Sequence, residues 1–165
     1  SALLRTLTQA DLAELLAQNA DEPFADAIAR ALHEQPIDTT TQLADCVRRV
    51  LAERLPAGNR PQETRKALQR TFQALRIAVN DEFRALDQFL AHLPDCLAPG
   101  GRVAILSFHS GEDRRVKKAF QAGHRGGVYA AVAPDPIRPS ADERRANPRS
   151  SSAKLRWALR AARAD

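Results

Sequence analysis

Methionine is absent from this 165-residue chain, tryptophan and tyrosine occur once each, and cysteine occurs twice. Each scarcity excludes something. Cys46 and Cys96 lie far apart with no Cys-x-x-Cys spacing, so neither a disulfide framework nor a zinc site is signalled, and both are expected as small apolar residues in helices. The histidines, His33, His92, His109 and His124, are equally scattered, and no metal site is expected. No apolar run approaches the ~20 residues that cross a bilayer, and no charged-then-apolar leader opens the chain. A cytoplasmic protein with no membrane partner is the expectation. A chain without methionine that begins at Ser1 reads as an excised or truncated part of a longer protein.

What is present argues for a folded protein. Hydrophobic residues make up 44% of the chain, enough for one sizeable core or two small ones. The net charge of +5 is unevenly spread: residues 1–46 carry two basic and eight acidic side chains, and 47–165 carry 23 basic and 12 acidic. Of the 25 basic residues 21 are Arg, whose planar fork suits phosphate oxygens and base faces. That balance points to a nucleic-acid partner, against the plain alternative of solvated helix faces.

Thr8-Gln-Ala-Asp11 reads as a capping-box start for a helix to about Gln18. A second helix is expected from Pro23 to His33, and a third, capped by Thr39 or Thr40, buries Leu43, Val47, Val50 and Leu51. These make a small α-helical subdomain over residues 1–58, followed by a turn-rich link at Pro56–Pro61. From Gln62 the spacing of Phe72, Leu75, Val79, Phe83, Leu86, Phe89, Leu90 and Leu93 predicts one long helix. After Pro99-Gly100-Gly101, the run Val103-Ala104-Ile105-Leu106 predicts a strand over 102–107, covered on both faces of a parallel sheet. A helix over 112–121, a strand over 128–133, an irregular stretch over 134–148 and a last strand or helix over 154–161 complete the reading. The fold class is α/β: the helical subdomain, then over residues 59–165 a helix, strand and helix that make the half-unit of a doubly wound sheet.

The strand at 102–107 empties into Phe108-His109-Ser110-Gly111-Glu112-Asp113-Arg114, at the edge where open α/β sheets bind ligands. A hydrolytic triad of His109, Ser110 and Asp113 is excluded, because neighbouring residues of a strand point to opposite faces and no Gly-x-Ser-x-Gly elbow is present. Glu112 and Asp113 fit the positive end of a helix, with Arg114, Arg115, Lys117 and Lys118 on the next turn.

Three blocks in order, Thr71-Phe-Gln-Ala-Leu-Arg-Ile-Ala-Val-Asn-Asp-Glu82, Phe108–Arg114 and Asn147-Pro-Arg-Ser-Ser-Ser-Ala-Lys-Leu-Arg156, resemble the MraW/RsmH methyltransferases. Two weaker matches, Asp21–Arg30 and Pro36–Ala44, resemble that family's inserted helical domain, so the likeness covers nearly the whole chain. It implies that residues 59–165 are the C-terminal part of a Rossmann-like methyltransferase sheet ending on a strand at 154–161, and it implies methyl transfer from S-adenosylmethionine to the exocyclic N4 of a cytidine in 16S ribosomal RNA of the small ribosomal subunit. The family's Gly-Gly-His cofactor turn and its acidic ribose-binding residue have no counterpart here. The resemblance therefore implies a cofactor bound mainly by another half, with no cofactor-binding residue in this chain.

On that resemblance Phe108 is expected to stack on an extruded base while His109 and Ser110, the candidate catalytic residues, meet its edge. Asp113, Arg114, Arg76, Asn80, Asn147, Arg149, Lys154 and Arg156 are the candidate substrate-binding residues. Arg76 and Asn80, one turn apart, are expected to buttress the Phe108 turn or to meet RNA. Gly111 stands where the family has an apolar residue, usually Leu, and is expected to loosen the turn; Ser151 replaces a common Arg. The plainer alternatives are that His109 ties the strand end to backbone and that 147–156 is a structural strand. Two functions remain open: part of an rRNA cytosine-N4 methyltransferase, or a non-catalytic rRNA-binding or assembly module. Gly100-Gly101 precedes a strand and cannot serve as the cofactor turn. The incomplete sheet edge is expected to recruit a missing half or a second copy.

Overall fold

Thr8 and Thr39 start two helices by the same device, visible in the computed structural model, which describes residues 2–162. The Asp11 amide donates to Thr8 Oγ1 at 3.1 Å and the Thr8 amide donates back to the Asp11 carboxylate at 3.3 Å. Thr39 and Gln42 repeat the exchange at 3.1 and 3.0 Å. Each cap satisfies two amides that a helix start otherwise leaves bare, a contribution of about 1 kcal/mol. The helices they open are α2 (Gln9–Ala20) and α4 (Thr40–Arg54); α1 (Ala2–Thr6), which the spacing did not predict, and α3 (Ala25–His33) lie beside them in sequence.

The first compact unit runs Ser1–Glu82. Its core joins Leu12 and Leu16 of α2, Ile28 and Leu32 of α3, and Val47 and Leu51 of α4 to Ala67 and Ala74 of α5 (Arg60–Asn80). Small residues on α5 let α2 approach closely, and Asn19 Nδ2 donates to the Ala74 carbonyl at 3.2 Å. Burying Leu16 completely contributes about 2 kcal/mol. The dividing point falls between Glu82 and Phe83, where the sequence reading drew it at 58/59. The reason is packing: the α5 stripe is covered by the preceding helices, so α5 belongs with them.

The single helix expected from 62 to 93 is instead two, α5 and α6 (Glu82–His92). Asp81 between them has φ 52°, a left-handed conformation in which its amide bonds back to Ile77 and closes α5. Hydrophobic spacing alone does not register such a break, because the apolar period resumes after one residue.

The second unit, Phe83–Asp165, holds α6, β1 (Arg102–Ser107), α7 (Ser110–Arg125), β2 (Tyr129–Val132), α8 (Ala141–Ala146) and β3 (Lys154–Arg160). The sheet order is β1-β3-β2, with β3 antiparallel to both neighbours. This corrects the parallel sheet: β1 and β2 point the same way with α7 between them in sequence, but β3 fills the slot between the two. Exposure along β1 alternates, so it is covered on one face and not on both. Val103 and Ile105 join Val116 and Phe120 of α7, Tyr129 and Ala158 in one core. Phe120 meets Tyr129 edge-on, ring centroids 5.5 Å apart.

The stretch 134–148 also departs from expectation. Ser140 caps α8 by accepting from the Glu143 amide at 3.1 Å, and a short 3-10 turn, Pro148–Ser152, leads into β3. Local capping overrides the proline-rich composition there. α7 runs longer than the 112–121 predicted, and Cys96 is exposed while Cys46 is buried in α4.

Candidate functional site

β1 ends at Ser107, which is buried, with its hydroxyl donating to the Lys154 carbonyl of β3 at 3.3 Å. The next residue, Phe108, lies beyond the strand and is 52% exposed. Its amide donates to Glu112 Oε2 at 3.0 Å. His109 then takes the N-cap place of α7 in extended backbone, and its Nδ1 accepts from the Glu112 amide at 3.4 Å. An accepting Nδ1 puts the proton of the neutral ring on Nε2, a tautomer assigned from the partner. Nε2 lies 3.2 Å from Glu112 Oε1, within ion-pair reach though outside hydrogen-bond alignment. Glu112 therefore engages both ring nitrogens of His109 and the Phe108 amide together. Its charge at a helix start marks Glu112 only as a cap; the signal for the further role is His109-x-x-Glu112, the capping-box spacing with His in the Ser/Thr place.

The His109 ring, 12% exposed, rests against Phe83 of α6, ring centroids 5.9 Å apart. The Arg115 guanidinium covers the Phe83 ring at 4.1 Å and is anchored by Asp87 at 2.6 Å. Gly111 makes room for this ring: a Cβ there would lie 2.5 Å from Phe83 Cζ. The turn expected to be loose at Gly111 is instead filled by Phe83, and Gly111 is buried. Phe83 is a residue of the site that nothing local in the sequence marks.

Three expected substrate-binding residues come together on the other side of the α7 start. Arg156 Nε and its second nitrogen donate to Asp113 at 2.7 and 3.3 Å, and Lys154 Nζ lies 3.7 Å away. The Arg156 side chain is only 6% exposed. Burial pushes the Asp113 carboxyl up, but the opposed effects of Arg156 and then Lys154 outweigh it and hold the group below its usual range. In this arrangement Arg156 ties β3 to α7. Ser110 and Arg114 are exposed at the start of α7.

The remaining candidates sit elsewhere in their own units. Arg76 donates to both oxygens of Glu82 at 2.9 and 3.1 Å, and Asn80 donates to one of them at 3.0 Å, so these two converge at the end of α5. Asn147 and Arg149 are exposed in the turn before β3; the Asn147 carbonyl accepts from Ser150 Oγ at 2.8 Å. Among the described residues there is no group of three His, Cys, Asp or Glu that could hold a metal, and no helix long and apolar enough to cross a membrane.

Both glycine pairs, Gly100-Gly101 and Gly126-Gly127, lie ahead of a strand, and Phe108 and His109 follow β1.

Residues 1–161 match the family model described as the MraW methylase family. Among curated proteins, the chain is similar to ribosomal RNA small subunit methyltransferase H 2 of Alkaliphilus metalliredigens, 52% identical over 98% of this chain and 47% of that protein. It is 48% identical to ribosomal RNA small subunit methyltransferase H 1 of Lachnoclostridium phytofermentans, over 96% of this chain and 44% of that protein. It is 42% identical to ribosomal RNA small subunit methyltransferase H of Acaryochloris marina, over 99% of this chain and 53% of that protein. The chain thus spans about half the length of the curated relatives it matches.

Proposed function

The chain belongs to the MraW methylase family, and from that premise we propose that it is the base-presenting part of a cytoplasmic methyltransferase acting on small-subunit ribosomal RNA. The reaction we assign moves the methyl group of S-adenosylmethionine to N4 of a cytidine. The observation that carries the reading is the turn after β1: Phe108 offers an exposed ring beside groups held rigid by Glu112. A base taken out of its stack needs an aromatic face, and such a contact contributes about 1–3 kcal/mol.

His109 serves there as a positioning residue, since both its nitrogens face Glu112. Ser110, exposed at the first turn of α7, offers a hydroxyl to the base edge. Arg114 and Arg149 are exposed and suit phosphate. Asp113, Lys154 and Arg156 fix the angle between β3 and the start of α7, and so the placement of Phe108. S-adenosylmethionine supplies the methyl group, and its site belongs to polypeptide beyond these residues, given the misfit of the glycine pairs.

That same misfit favours a second reading, in which this chain by itself binds rRNA or an assembling subunit without catalysis. Calorimetric titration of the 165-residue chain with S-adenosylmethionine, and with a decoding-region RNA hairpin at two salt concentrations, separates the two. Salt-sensitive RNA binding that Phe108→Ala weakens by about 5–150-fold supports the base-presenting role. RNA binding indifferent to Phe108→Ala removes it.

A further inference from the structure

After Asp113 no acidic residue occurs until Asp135, and α7 between them carries Arg114, Arg115, Lys117, Lys118 and Arg125. Val116 and Phe120 of this helix are buried in the core against the sheet. On the opposite side Arg114, Lys118, Gln121 and Arg125 recur every three or four residues, so they form one outward stripe with Lys117 beside it. All four cations of that face are exposed. At 1.5 Å per residue the stripe from Arg114 to Arg125 is about 17 Å long. It starts six residues after Phe108, in the second turn of α7.

Other helices of the chain neutralise such charges locally. Arg48 pairs with Asp45 on α4, Lys66 with Glu63 on α5 and Arg145 with Asp142 on α8, in each case across three residues. On α7 both acids are engaged elsewhere, Glu112 with the Phe108 amide and His109, Asp113 with Arg156. Arg115 reaches across to Asp87 of α6. Among the described residues Lys117, Lys118 and Arg125 have no ion-pair partner. Arg114 stands three and four residues before Lys117 and Lys118, a spacing at which like charges weaken a helix. The stripe therefore opposes helix stability, and a polyanion laid along it relieves the repulsion. The stretch 134–149 also carries cations, but Asp135, Asp142 and Glu143 stand among them.

We propose that the outer stripe of α7 is a phosphate track: the RNA strand that carries the base presented at Phe108 runs along α7, with phosphates against Lys118 and Arg125 and Lys117 at its side. A row one residue wide suits the backbone of a single strand. The inference rests on the reading of Phe108 as the base-presenting residue and adds a path for the strand beyond that base.

The test titrates the 165-residue chain with a decoding-region RNA hairpin across a salt series. Lys118→Gln with Arg125→Gln should reduce the slope of log affinity against log salt by about 1.4, which is ~0.7 for each single-stranded phosphate contact, and weaken binding about tenfold or more near ~0.1 M salt. Arg102→Gln with Arg144→Gln removes the same charge from exposed places on β1 and α8 and should leave the slope close to that of the parent chain. Lys118→Arg keeps the charge and should bind as the parent does. Thermal melting of each variant checks that these exposed substitutions leave the fold intact. Equal slope losses in the two double variants would reduce the stripe to general net charge and overturn the proposal. So would a parent chain whose RNA binding does not respond to salt, or poly-glutamate bound as tightly as the hairpin. Phe108→Ala, which removes no charge, should weaken binding at an unchanged slope. If Phe108→Ala has no effect while the slope loss at Lys118 and Arg125 stands, the base-presenting reading fails and the phosphate track is upheld.

Discussion

Gly111 and Phe83 occupy one volume between them: the ring of Phe83 reaches the space that a side chain at Gly111 would take, 2.5 Å from the Cβ position. The contact links α6 to the first turn of α7, on which the Phe108–Glu112 turn depends.

Gly111→Ala should therefore destabilise the chain by about 1–2 kcal/mol, the overpacking cost less the gain from removing a helical glycine. Phe83→Leu lacks the clashing Cζ atom and should recover most of that loss in the double variant. Urea unfolding of the four proteins gives the coupling, and additive single effects would refute the shared volume.

Glu112→Ala should cost about 1–2 kcal/mol, because it strips an acceptor from the Phe108 amide and the carboxylate from His109. Glu112→Gln keeps one acceptor and should lie between. Nitrogen NMR of the His109 ring should show the Nε2–H tautomer in the parent chain and still in Glu112→Ala, whose backbone amide keeps its bond to Nδ1. An Nδ1–H ring in the parent chain would refute the assignment.

Asp113 makes stability fall in acid. Its folded pKa lies below the unfolded value, so its contribution is whole above about pH 4 and disappears as pH falls through the lower folded pKa. Asp113→Asn should cost about 3 kcal/mol at pH 7, since Arg156 stays buried with Lys154 beside it. The double change Asp113→Leu with Arg156→Leu should cost less than either single one. Thermal melts between pH 2 and 7 at constant salt check both statements; an acid slope that survives in Asp113→Asn assigns it to another group.

Glu22 works in the opposite sense. It is 3% exposed, with one oxygen accepting from the Phe24 amide and the other buried without a hydrogen-bond partner. Burial chiefly raises its pKa, so its ionised form costs stability as pH climbs through the raised value. Glu22→Gln should melt higher than the parent near pH 7 and lose that advantage below about pH 4. A lower melting temperature at pH 7 would show that the carboxylate is stabilised in place.

The parts legible in the amino-acid order are those whose cause lies within about one helical turn. Thr8 and Thr39 announce α2 and α4 because each cap partner is three residues away. β1 follows from a short apolar run set off by Gly and Pro, whereas for β3 the residues alone leave strand and helix open and the family resemblance points to the strand. The turn at 108–114 stood out for the same reason, as an apolar run emptying into charge.

What only the tertiary structure decided depends on residues far apart in sequence. Arg156 meets Asp113 across 43 positions and ties β3 to α7, a pairing that no local pattern signals. Phe83 meets His109 and Gly111 because α6 returns to the start of α7, and no periodicity encodes that meeting. The insertion of β3 between β1 and β2 is likewise a matter of which partner satisfies the most backbone groups and buries Ala158 with Val116. Local order sets what each segment can become; the competition among distant segments for the same buried volume and the same hydrogen-bond partners sets which of them meet.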